Sequence, residues 1–516
     1  MRGEFEQTDV LIIGAGPVGS TFARVIADCL PRAKILMVDA GPRLTRRAGL
    51  HVRNILDLDE RARAQLASQG PLADSCRNPR HPARSTQPCP GTFLVDPDNY
   101  RFAASGMPAA AMSSNVGGMA AHWTCACPRL GNTEKIPFID DDEWRSLCAT
   151  GEKLLHVTYE AFPPTGCTDS ILLGLRKVFD AKLSAERKVG RMPLACTINN
   201  AKQRHWTGTD TILGPMAIQE TAPSNFHLRS ETLCTRLVSQ DSGVAFAVLR
   251  HIPSQAITQV RARVYIVACD AFRTPQLLWT SGFTSRALGH YLNEHAQSTC
   301  TIQLDQPIGV DSHDLEKRIP PKAEAHFDCD PMRGFFWVPF HSPGHPFHGQ
   351  VLHLTESPTR GTDRRPQKGT FLRLVWFCRK DLQYEDHVEF AHKDQDLYGL
   401  PKLCVHYELT EGDRRTIAAC KAQLRAASAV LGPFVDGGQP YLLPSGSSLH
   451  YQGTTRMGMD ASDPSVCDPY CQVWDTTNLF LGGNCVIPTA IACNPTLTSV
   501  ALAIRSSRKI CSIIGR

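Results

Sequence analysis

The residues near the start of the chain that are best suited to chemistry form a glycine motif followed by an acid. Gly14, Gly16 and Gly19 stand in the order G-x-G-x-x-G, and Asp39 follows later in the chain. In this pattern the first glycine permits a tight turn, the second lets backbone N–H groups approach a pyrophosphate, and the third lets a helix pack close to a strand. An acid at this spacing accepts hydrogen bonds from ribose hydroxyls. The motif therefore predicts a dinucleotide site.

The elements that must position these residues can be recognised on either side of them. The apolar run at 9–13 (DVLII) is typical of a buried parallel strand, and the run at 34–38 (KILMV) of a second one that ends at Asp39. The segment STFARVIADCL between them has a helical pattern, so the helix N-terminus would face the phosphates. An aspartate there disfavours NADP, because it would repel the 2′-phosphate. This element alone leaves FAD and NAD as alternatives.

A histidine and an asparagine in the C-terminal part are the second set of candidates. His450 lies in the segment SLHYQGTTRMG, and Asn494-Pro495-Thr496 leads into the apolar segment SVALAIRSS. We predict a helix here, with Pro495 at its first position and Asn494 as its cap. A helix N-terminus aimed at an isoalloxazine ring would stabilise the negative charge of reduced flavin. Taken alone, however, His450 is better explained as a core residue and Asn494 as a simple cap.

Three segments together carry a resemblance to a known family. They are NVGGMAAHWTC at 115–125, ACDAFRTPQLLWTSG at 268–282, and the stretch from Leu449-His450 to Asn494-Pro495-Thr496. They resemble the glucose–methanol–choline (GMC) flavoenzyme family, and within it the pyranose oxidases and the bacterial C-glycoside 3-oxidases. The resemblance is strongest at both ends of the chain. It implies FAD as the cofactor and disfavours an NAD-dependent dehydrogenase.

The resemblance also implies a catalytic pair. The family places a histidine and an asparagine side by side above the flavin N5, and His450 and Asn494 match these positions. A neutral imidazole would accept the proton of a substrate hydroxyl while hydride leaves the same carbon. Because the base must be unprotonated, we expect turnover to fall as the pH drops through the ordinary histidine pKa of about 6.5.

Cofactor contacts follow from the same motifs. In fungal pyranose oxidases the histidine that matches His122 carries the flavin covalently, whereas the bacterial glycoside oxidases hold flavin without a covalent bond. Ala120-Ala121 stands where the fungal relatives have Ser-Thr, which favours non-covalent FAD and leaves attachment at His122 as the alternative. The predicted cofactor-binding residues are Gly14, Gly16, Gly19, Asp39, Asn115, Gly117, Gly118, His122, Trp123, Thr124, Ala268, Gly483, Asn484, Pro495 and Thr496.

The predicted fold is α/β, with a Rossmann-like FAD-binding domain interleaved with an α+β substrate domain built on an antiparallel sheet. Alternating aromatic runs at 335–341, 350–354 and 370–377 predict strands of that sheet, and Gln350, His353 and Arg379 are its predicted substrate-binding residues. The expected FAD-binding domain is discontinuous, and the segment 51–99 is expected to be a surface excursion that forms a lid or an oligomer contact. The boundaries are 1–50, 100–135, 191–300 and 436–516 for the FAD-binding domain, and 301–435 with 136–190 for the substrate domain.

Composition excludes several functional classes. The 516 residues carry a net charge of +5 without a basic block, so nucleic acid is not the expected partner. No stretch reaches the roughly 18 uncharged apolar residues that span a bilayer, so no membrane association is expected. The 20 cysteines show no zinc-ligand spacing and no signal peptide accompanies them. We therefore expect reduced, mostly buried thiols, no metal and a cytoplasmic location.

The function that the resemblance implies is oxidation of a ring secondary hydroxyl of a pyranose or glycoside to a ketone, by hydride transfer to flavin N5. Oxidation at C3 of glycosides, C-glycosides included, is favoured, with O2 or a quinone as the electron acceptor. The alternatives are a pyranose 2-oxidase that acts on free glucose and a non-redox GMC-type flavoprotein. The oligomeric state is left open.

Overall fold

The structure is a computed structural model of the chain. It describes residues 5–69, 91–95, 106–200, 203–304, 332–341, 345–356, 368–435 and 438–515. Most of the predicted surface excursion, namely 70–90 and 96–99, lies outside these residues. Among the described residues, no helix combines the length and the apolar character needed to cross a membrane.

Runs of strands are separated by single helices along the described part of the chain. In chain order the strands are β1 (Glu6–Ile13), β2 (Ile35–Val38), β3 (Gly91–Leu94), β4 (Ala111–Ser114), β5 (Val157–Thr158), β6 (Gly190–Arg191), β7 (Leu194–Ile198), β8 (Arg204–Trp206), β9 (Phe226–Arg229), β10 (Thr232–Gln240), β11 (Gly243–His251), β12 (Ile257–Val267), β13 (Ala296–Gln303), β14 (Met332–Val338), β15 (Phe347–Glu356), β16 (Lys368–Cys378), β17 (His387–Gln395), β18 (Pro401–His406), β19 (Tyr441–Leu442) and β20 (Leu479–Leu481). The helices are α1 (Pro17–Cys29), α2 (Leu58–Gln69), α3 (Asp141–Leu155), α4 (Gly166–Phe179), α5 (Thr209–Leu213), α6 (Arg273–Thr280), α7 (Glu411–Leu431) and α8 (Thr496–Ile514).

The first sheet carries the glycine motif and has seven strands, with β20, β12, β1, β2 and β9 parallel to their neighbours. Strand β11 extends it in antiparallel pairing with β12, and β10 pairs antiparallel with β11. Val10 and Ile12 of β1 pack into the core with α1 and α8, whereas Leu11 and Ile13 pack into the larger core on the opposite face. Burial on both faces explains why β1 ends in a continuous apolar run instead of an alternating one.

The second sheet is antiparallel and has six strands in the order β19-β13-β16-β15-β14-β6. Helices α4 and α7 cover one of its faces, and apolar residues of both helices share a core with Phe347 and Val351 of β15. The opposite face of β15 presents His348 and Gln350, because side chains alternate along a strand. This alternation leaves one face of the sheet available for polar chemistry.

These two sheets confirm the predicted fold class and the predicted antiparallel sheet, in which β14, β15 and β16 cover the three aromatic runs. The predicted boundaries do not follow the sheets everywhere. Strands β13 and β19 belong to the antiparallel sheet, although most of β13 and all of β19 fall in segments expected to belong to the FAD-binding domain. Both strands pair with this sheet through backbone hydrogen bonds, which leave little trace in the pattern of side chains.

Cysteine side chains contribute to the cores as small apolar groups. No disulfide joins any pair of cysteines in the part of the chain that the structure describes, and most of these thiols are buried. Burial raises the pKa of Cys148 to about 12 and that of Cys485 to about 11, so both remain protonated at neutral pH.

Candidate active site

One cleft runs from the glycine motif to the start of α8. It joins motifs from opposite ends of the chain because β12 lies between β1 and β20 in the first sheet. The predicted site residues that line the cleft are Gly14, Gly16, Asp39, Gly118, Ala268, His450, Gly483, Asn484, Pro495 and Thr496.

The three motif glycines have different surroundings. A Cβ on Gly14 would lie 2.4 Å from the backbone oxygen of Ala268, and a Cβ on Gly19 would lie 1.9 Å from the backbone oxygen of Gly14. A Cβ on Gly16, in contrast, meets no protein atom within 4 Å. Helix α1 begins directly after Gly16, and no side chain caps it. Open space in front of uncapped N–H groups is what a bound pyrophosphate requires, so these residues fit FAD.

Asp39 follows β2 at the edge of the cleft. One of its carboxylate oxygens accepts a hydrogen bond from Ala15 N at 2.8 Å, and the other accepts one from Gly41 N at 2.8 Å. Burial raises its pKa to about 6, against the opposing effect of these two hydrogen bonds. Each oxygen keeps a further acceptor position, so the carboxylate can still bind ribose hydroxyls.

The remaining predicted cofactor residues do not line the cleft. The Asn115 side chain donates to the backbone oxygens of Val116 and Gly118 and so shapes the turn before the cleft-lining glycine. Trp123 Nε1 donates to Thr207 O at 2.7 Å. His122 Nδ1 is buried without a partner among the described residues, and burial lowers the pKa of this histidine to about 4. The others, none of which lines the cleft, are Gly19, Gly117 and Thr124.

His450 and Asn494 lie side by side, as the resemblance implied. Asn494 Nδ2 is 3.2 Å from His450 Nε2. Asn494 Oδ1 accepts from Gln350 Nε2 at 2.7 Å and lies 2.9 Å from His348 Nε2. Trp337 Nε1 donates to His348 Nδ1 at 3.0 Å.

These contacts fix the direction of a hydrogen-bond chain. An indole N–H can only donate, so His348 Nδ1 accepts and the neutral ring carries its proton on Nε2. His348 therefore donates to Asn494 Oδ1, and the Asn494 amide in turn donates to His450 Nε2. Since His450 Nε2 accepts, the His450 proton is assigned to Nδ1, which faces His295 Nδ1 at 3.2 Å. The chain thus ends on the Nε2 lone pair of His450, which accepts from Asn494.

The electrostatics of the site keep these imidazoles neutral. Burial lowers the pKa of His450 to about 4 and that of His348 to about 3, and it holds the pKa of His295 well below its usual value. The ring of Phe377 lies within 5.2 to 6.0 Å of all three imidazole centroids. This apolar contact helps to make a positive charge on any of the three imidazoles unfavourable. The pKa of His450 therefore lies below the ordinary histidine value of about 6.5 that the sequence alone predicts.

The predicted cap of α8 is wrong. The helix begins at Thr496, Pro495 occupies the position before it, and no side chain caps its N-terminus. Asn494 is not available as a cap because its amide is engaged by His450, His348 and Gln350. An asparagine followed by proline and an apolar run occurs both where the asparagine caps a helix and where, as here, its side chain bonds elsewhere. The sequence pattern therefore cannot distinguish the two cases.

The three predicted substrate-binding residues lie in different places. Gln350 is buried beside His450 and Asn494, where its Nε2 donates to Asn494 Oδ1. His353 lies on the opposite face of β15, where its Nε2 is 3.9 Å from Cys167 Sγ. The guanidinium of Arg379 stacks 5.7 Å above the ring of Phe340 and makes no hydrogen bond to either member of the pair among the described residues. The structure thus brings only Gln350 to His450 and Asn494.

Sequence reasoning missed the residues that support the pair, namely Glu294, His295, Trp337 and His348. His348 precedes Gln350 by two positions, so the alternation of side chains in a strand could have identified it. Trp337 reaches His348 through the pairing of the consecutive strands β14 and β15, and His295 reaches His450 from 155 residues away in the chain. Neither contact follows from a local pattern of side chains.

Glu294 holds the loop that carries His450. Its carboxylate accepts from Gly446 N at 2.7 Å, from Ser448 N at 3.0 Å and from Ser448 Oγ at 2.7 Å. Leu449, next to His450, has a left-handed backbone with a φ of 59°, a conformation that is unfavourable unless neighbouring contacts impose it. Burial raises the pKa of Glu294 to about 7.

We expect Glu294→Ala to lower both stability and turnover. Three buried donors lose their acceptor, and each costs about 1–3 kcal/mol, so the free energy of unfolding should fall by about 3 kcal/mol or more. The released loop should also lower kcat by misplacing His450. Thermal unfolding and steady-state turnover measure the two effects, and Glu294→Gln, which retains one acceptor oxygen, should give smaller losses. Wild-type stability in the alanine variant would contradict this role.

A matched pair of variants on β15 separates its two faces. Gln350→Ala should impair substrate turnover, because Gln350 contacts Asn494 directly. His353→Ala should leave KM and kcat close to wild type, because its ring faces Cys167 and the helices. Steady-state kinetics on the same substrate gives the comparison. An increase in KM for His353→Ala alone would place the substrate on the other face.

Comparison with known proteins shows which family this chain resembles over most of its length. Two family models described as GMC oxidoreductase match residues 132–297 and 387–503. The C-glycoside 3-oxidase of Microbacterium trichothecenolyticum is 41% identical over 98% of this chain and 96% of its own. The C-glycoside 3-oxidase of Arthrobacter globiformis is 42% identical over 97% and 94%. The pyranose 2-oxidase of Tricholoma matsutake is 31% identical over 98% and 94%.

Solved structures show the same fold at lower identity. The formate oxidase of Aspergillus oryzae RIB40 is 14% identical, covers 99% of each chain and superposes with a TM-score of 0.65. A pyridoxine 4-oxidase described as from Mesorbium loti is 14% identical, covers 97% of this chain and 99% of its own, and gives a TM-score of 0.61. Together with the family models and the full-length relatives, these likenesses establish that the chain belongs to the GMC oxidoreductase family.

Proposed function

We propose that this protein is an FAD-dependent oxidase that converts a ring secondary hydroxyl of a glycoside to a ketone, with oxidation at C3 of C-glycosides as the favoured activity. The observation that carries the oxidation chemistry is the hydrogen-bond chain that ends on His450 Nε2 beside the cleft. The substrate class is supported by the two C-glycoside 3-oxidases that match almost the whole chain at 41% and 42% identity.

In the proposed reaction the chain supplies the base and the positioning groups. FAD, when bound, supplies the acceptor for the hydride. In this proposal the substrate hydroxyl replaces the Asn494 amide at His450 Nε2. The neutral His450 accepts the hydroxyl proton there, and the carbon that bore the hydroxyl loses a hydride, so the substrate becomes a ketone. The Asn494 amide donates toward the substrate oxygen as it becomes a carbonyl. His348 and Gln350 hold Asn494 in this orientation through its Oδ1.

The pH dependence of this step follows from the lowered pKa of His450. An imidazole with a pKa of about 4 stays neutral above that value and loses its basic form below it. The rate of flavin reduction by substrate should therefore be level between about pH 8 and about pH 5 and fall about tenfold per unit below about pH 4. Stopped-flow reduction under anaerobic conditions measures this profile. A midpoint near the ordinary histidine value of about 6.5 would contradict the buried, neutral cluster.

The regiochemistry and substrate class are tested by product analysis. The purified enzyme is incubated with glucose, an O-glycoside and a C-glycoside of glucose, and the products are assigned by NMR. We expect the C-glycoside to be the best substrate and its 3-keto derivative to be the product. If free glucose is instead the best substrate and gives a 2-keto product, the alternative of a pyranose 2-oxidase is favoured. The Tricholoma matsutake relative at 31% identity is an enzyme of that kind.

We further propose that the flavin is held without a covalent bond. The support is that His122 does not belong to the lining of the cleft among the described residues, and that Ala120-Ala121 precedes it. Acid precipitation should release the yellow colour into the supernatant. Flavin that stays in the pellet, and is lost from it in His122→Ala, would show covalent attachment.

Anaerobic mixing also separates an oxidase from a non-redox flavoprotein. Bleaching of the flavin by a glycoside requires hydride transfer, whereas a binding protein or a lyase would leave the oxidised spectrum unchanged. We propose O2 as the acceptor that reoxidises the enzyme, since the full-length relatives are oxidases. Faster reoxidation by a quinone than by air-saturated buffer would identify a quinone as the preferred acceptor.

A further inference from the structure

The hairpin formed by β17 and β18 carries a cluster of metal-ligating side chains outside the cleft. His387 and Glu389 stand two positions apart on β17 and therefore share a face, and His406 of β18 pairs with His387 across the hairpin. One potential ligand atom from each of the three residues lies within 4.8 Å of the other two. None of the three lines the cleft described above.

The orientation of His387 suits a metal ligand. Its Nδ1 lies 2.6 Å from the backbone oxygen of Glu385, so Nδ1 carries the proton and Nε2 keeps its lone pair. A ligating histidine is commonly oriented in this way, with the second ring nitrogen bound to a carbonyl or carboxylate. The contact thus fixes the tautomer that binding requires before any ion is present.

Neighbouring groups restrict the positions of all three side chains. The His387 ring stacks on the His406 ring with centroids 4.3 Å apart and planes 10° from parallel, and His290 stacks on His387 at 4.9 Å. His406 Nε2 lies 3.0 Å from a carboxylate oxygen of Glu389. An ion would replace the proton between these two atoms, and one imidazole would tilt out of the stack, because the lone pairs of two nearly parallel rings do not converge on one ion.

We propose that this cluster binds one divalent first-row transition-metal ion of the Zn²⁺ or Cu²⁺ type, with His387, Glu389 and His406 as ligands and water in the remaining position. Two imidazoles and one carboxylate favour such ions over Mg²⁺ and Ca²⁺, which prefer oxygen ligands. The exposed fractions of the His406 and Glu389 side chains, 46% and 65%, leave room for the water. Because its ligands come from both strands, the ion would join β17 to β18 and act on stability and not on turnover.

The test is zinc binding to the FAD-loaded enzyme without an affinity tag, after treatment with a chelator. Isothermal titration with ZnCl2 at neutral pH should give one equivalent of tight binding, and MgCl2 should give none. His406→Asn and Glu389→Gln should each weaken zinc binding at least tenfold. His392→Asn, in the same hairpin but outside the cluster, is the matched control and should bind zinc like the wild type.

Three measurements make the outcome decisive. Flavin absorbance and turnover should be unchanged in all these variants, because none of the altered side chains lines the cleft. Zinc should raise the thermal midpoint of unfolding of the wild type but not that of His406→Asn. Wild-type affinity in both ligand variants would overturn the proposal. So would loss of binding in Cys404→Ser with full binding in His406→Asn, because the metal would then be held by the thiol opposite Glu389. Zinc that inhibits turnover with unchanged binding in the hairpin variants would place it at the catalytic histidines.

Discussion

We expect the His450→Ala variant to keep its flavin and to lose most of its reduction by substrate. General acid–base catalysis by a positioned side chain contributes about 10²–10⁴-fold to a rate, so the reduction rate should fall by that range. The physical reason is that His450 Nε2 carries the lone pair at the end of the hydrogen-bond chain from Trp337 through His348 and Asn494. Anaerobic stopped-flow measurement of flavin bleaching by a C-glycoside gives the rate.

The control for this experiment is His353, another buried histidine, which lies on β15 of the antiparallel sheet. His353 also has a pKa lowered by burial to about 4, but it lies on the helix-covered face of β15 and contacts Cys167. His353→Ala should bleach the flavin at a rate close to wild type. A near wild-type rate in His450→Ala would show that another group accepts the proton.

The second large effect is expected at Gly16. Replacement by alanine should leave the fold intact, because a Cβ there meets no protein atom within 4 Å and the backbone φ of −72° suits any residue. The same methyl group enters the space in which the pyrophosphate is expected. We therefore expect FAD affinity to fall at least about tenfold, which corresponds to about 1.4 kcal/mol. Flavin content after gel filtration and titration of the apoprotein with FAD measure the loss.

Gly19→Ala is the matched variant with the opposite expectation. Its Cβ would lie 1.9 Å from the backbone oxygen of Gly14, so α1 must move away from β1 and the packing of Phe22 and Ile26 against the sheet is lost. This variant should unfold at a lower temperature even in the presence of excess FAD, whereas excess FAD should restore Gly16→Ala. Equal stability of the two variants would show that Gly19 is not required for close packing.

The predictability of the site differed from residue to residue. The glycine motif was readable because strand, turn, helix and acid follow one another within a short segment, and local spacing fixes their geometry. Gln350 was reachable through a resemblance in its segment, and His353 was proposed with it although an odd number of positions separates them. In a strand that spacing places two side chains on opposite faces, so the strand predicted at 350–354 already separates them, and the observed strand does so.

Sequence by itself determined the family, the cofactor class and the two kinds of sheet, and it gave His450 and Asn494 as the candidate pair. Each of these follows from short motifs or from local patterns of side chains that can be recognised along the chain. The tertiary structure alone decided which groups surround that pair. Glu294 and His295 contact the loop of His450 from 154 and 155 residues away in the chain, and His348 contacts Asn494 from 146 residues away. Trp337 acts through His348 on the neighbouring strand, and no local pattern records these contacts. Burial in that assembly also lowers the pKa of His450 to about 4, because desolvation depends on what surrounds a group in space and not on its neighbours in sequence.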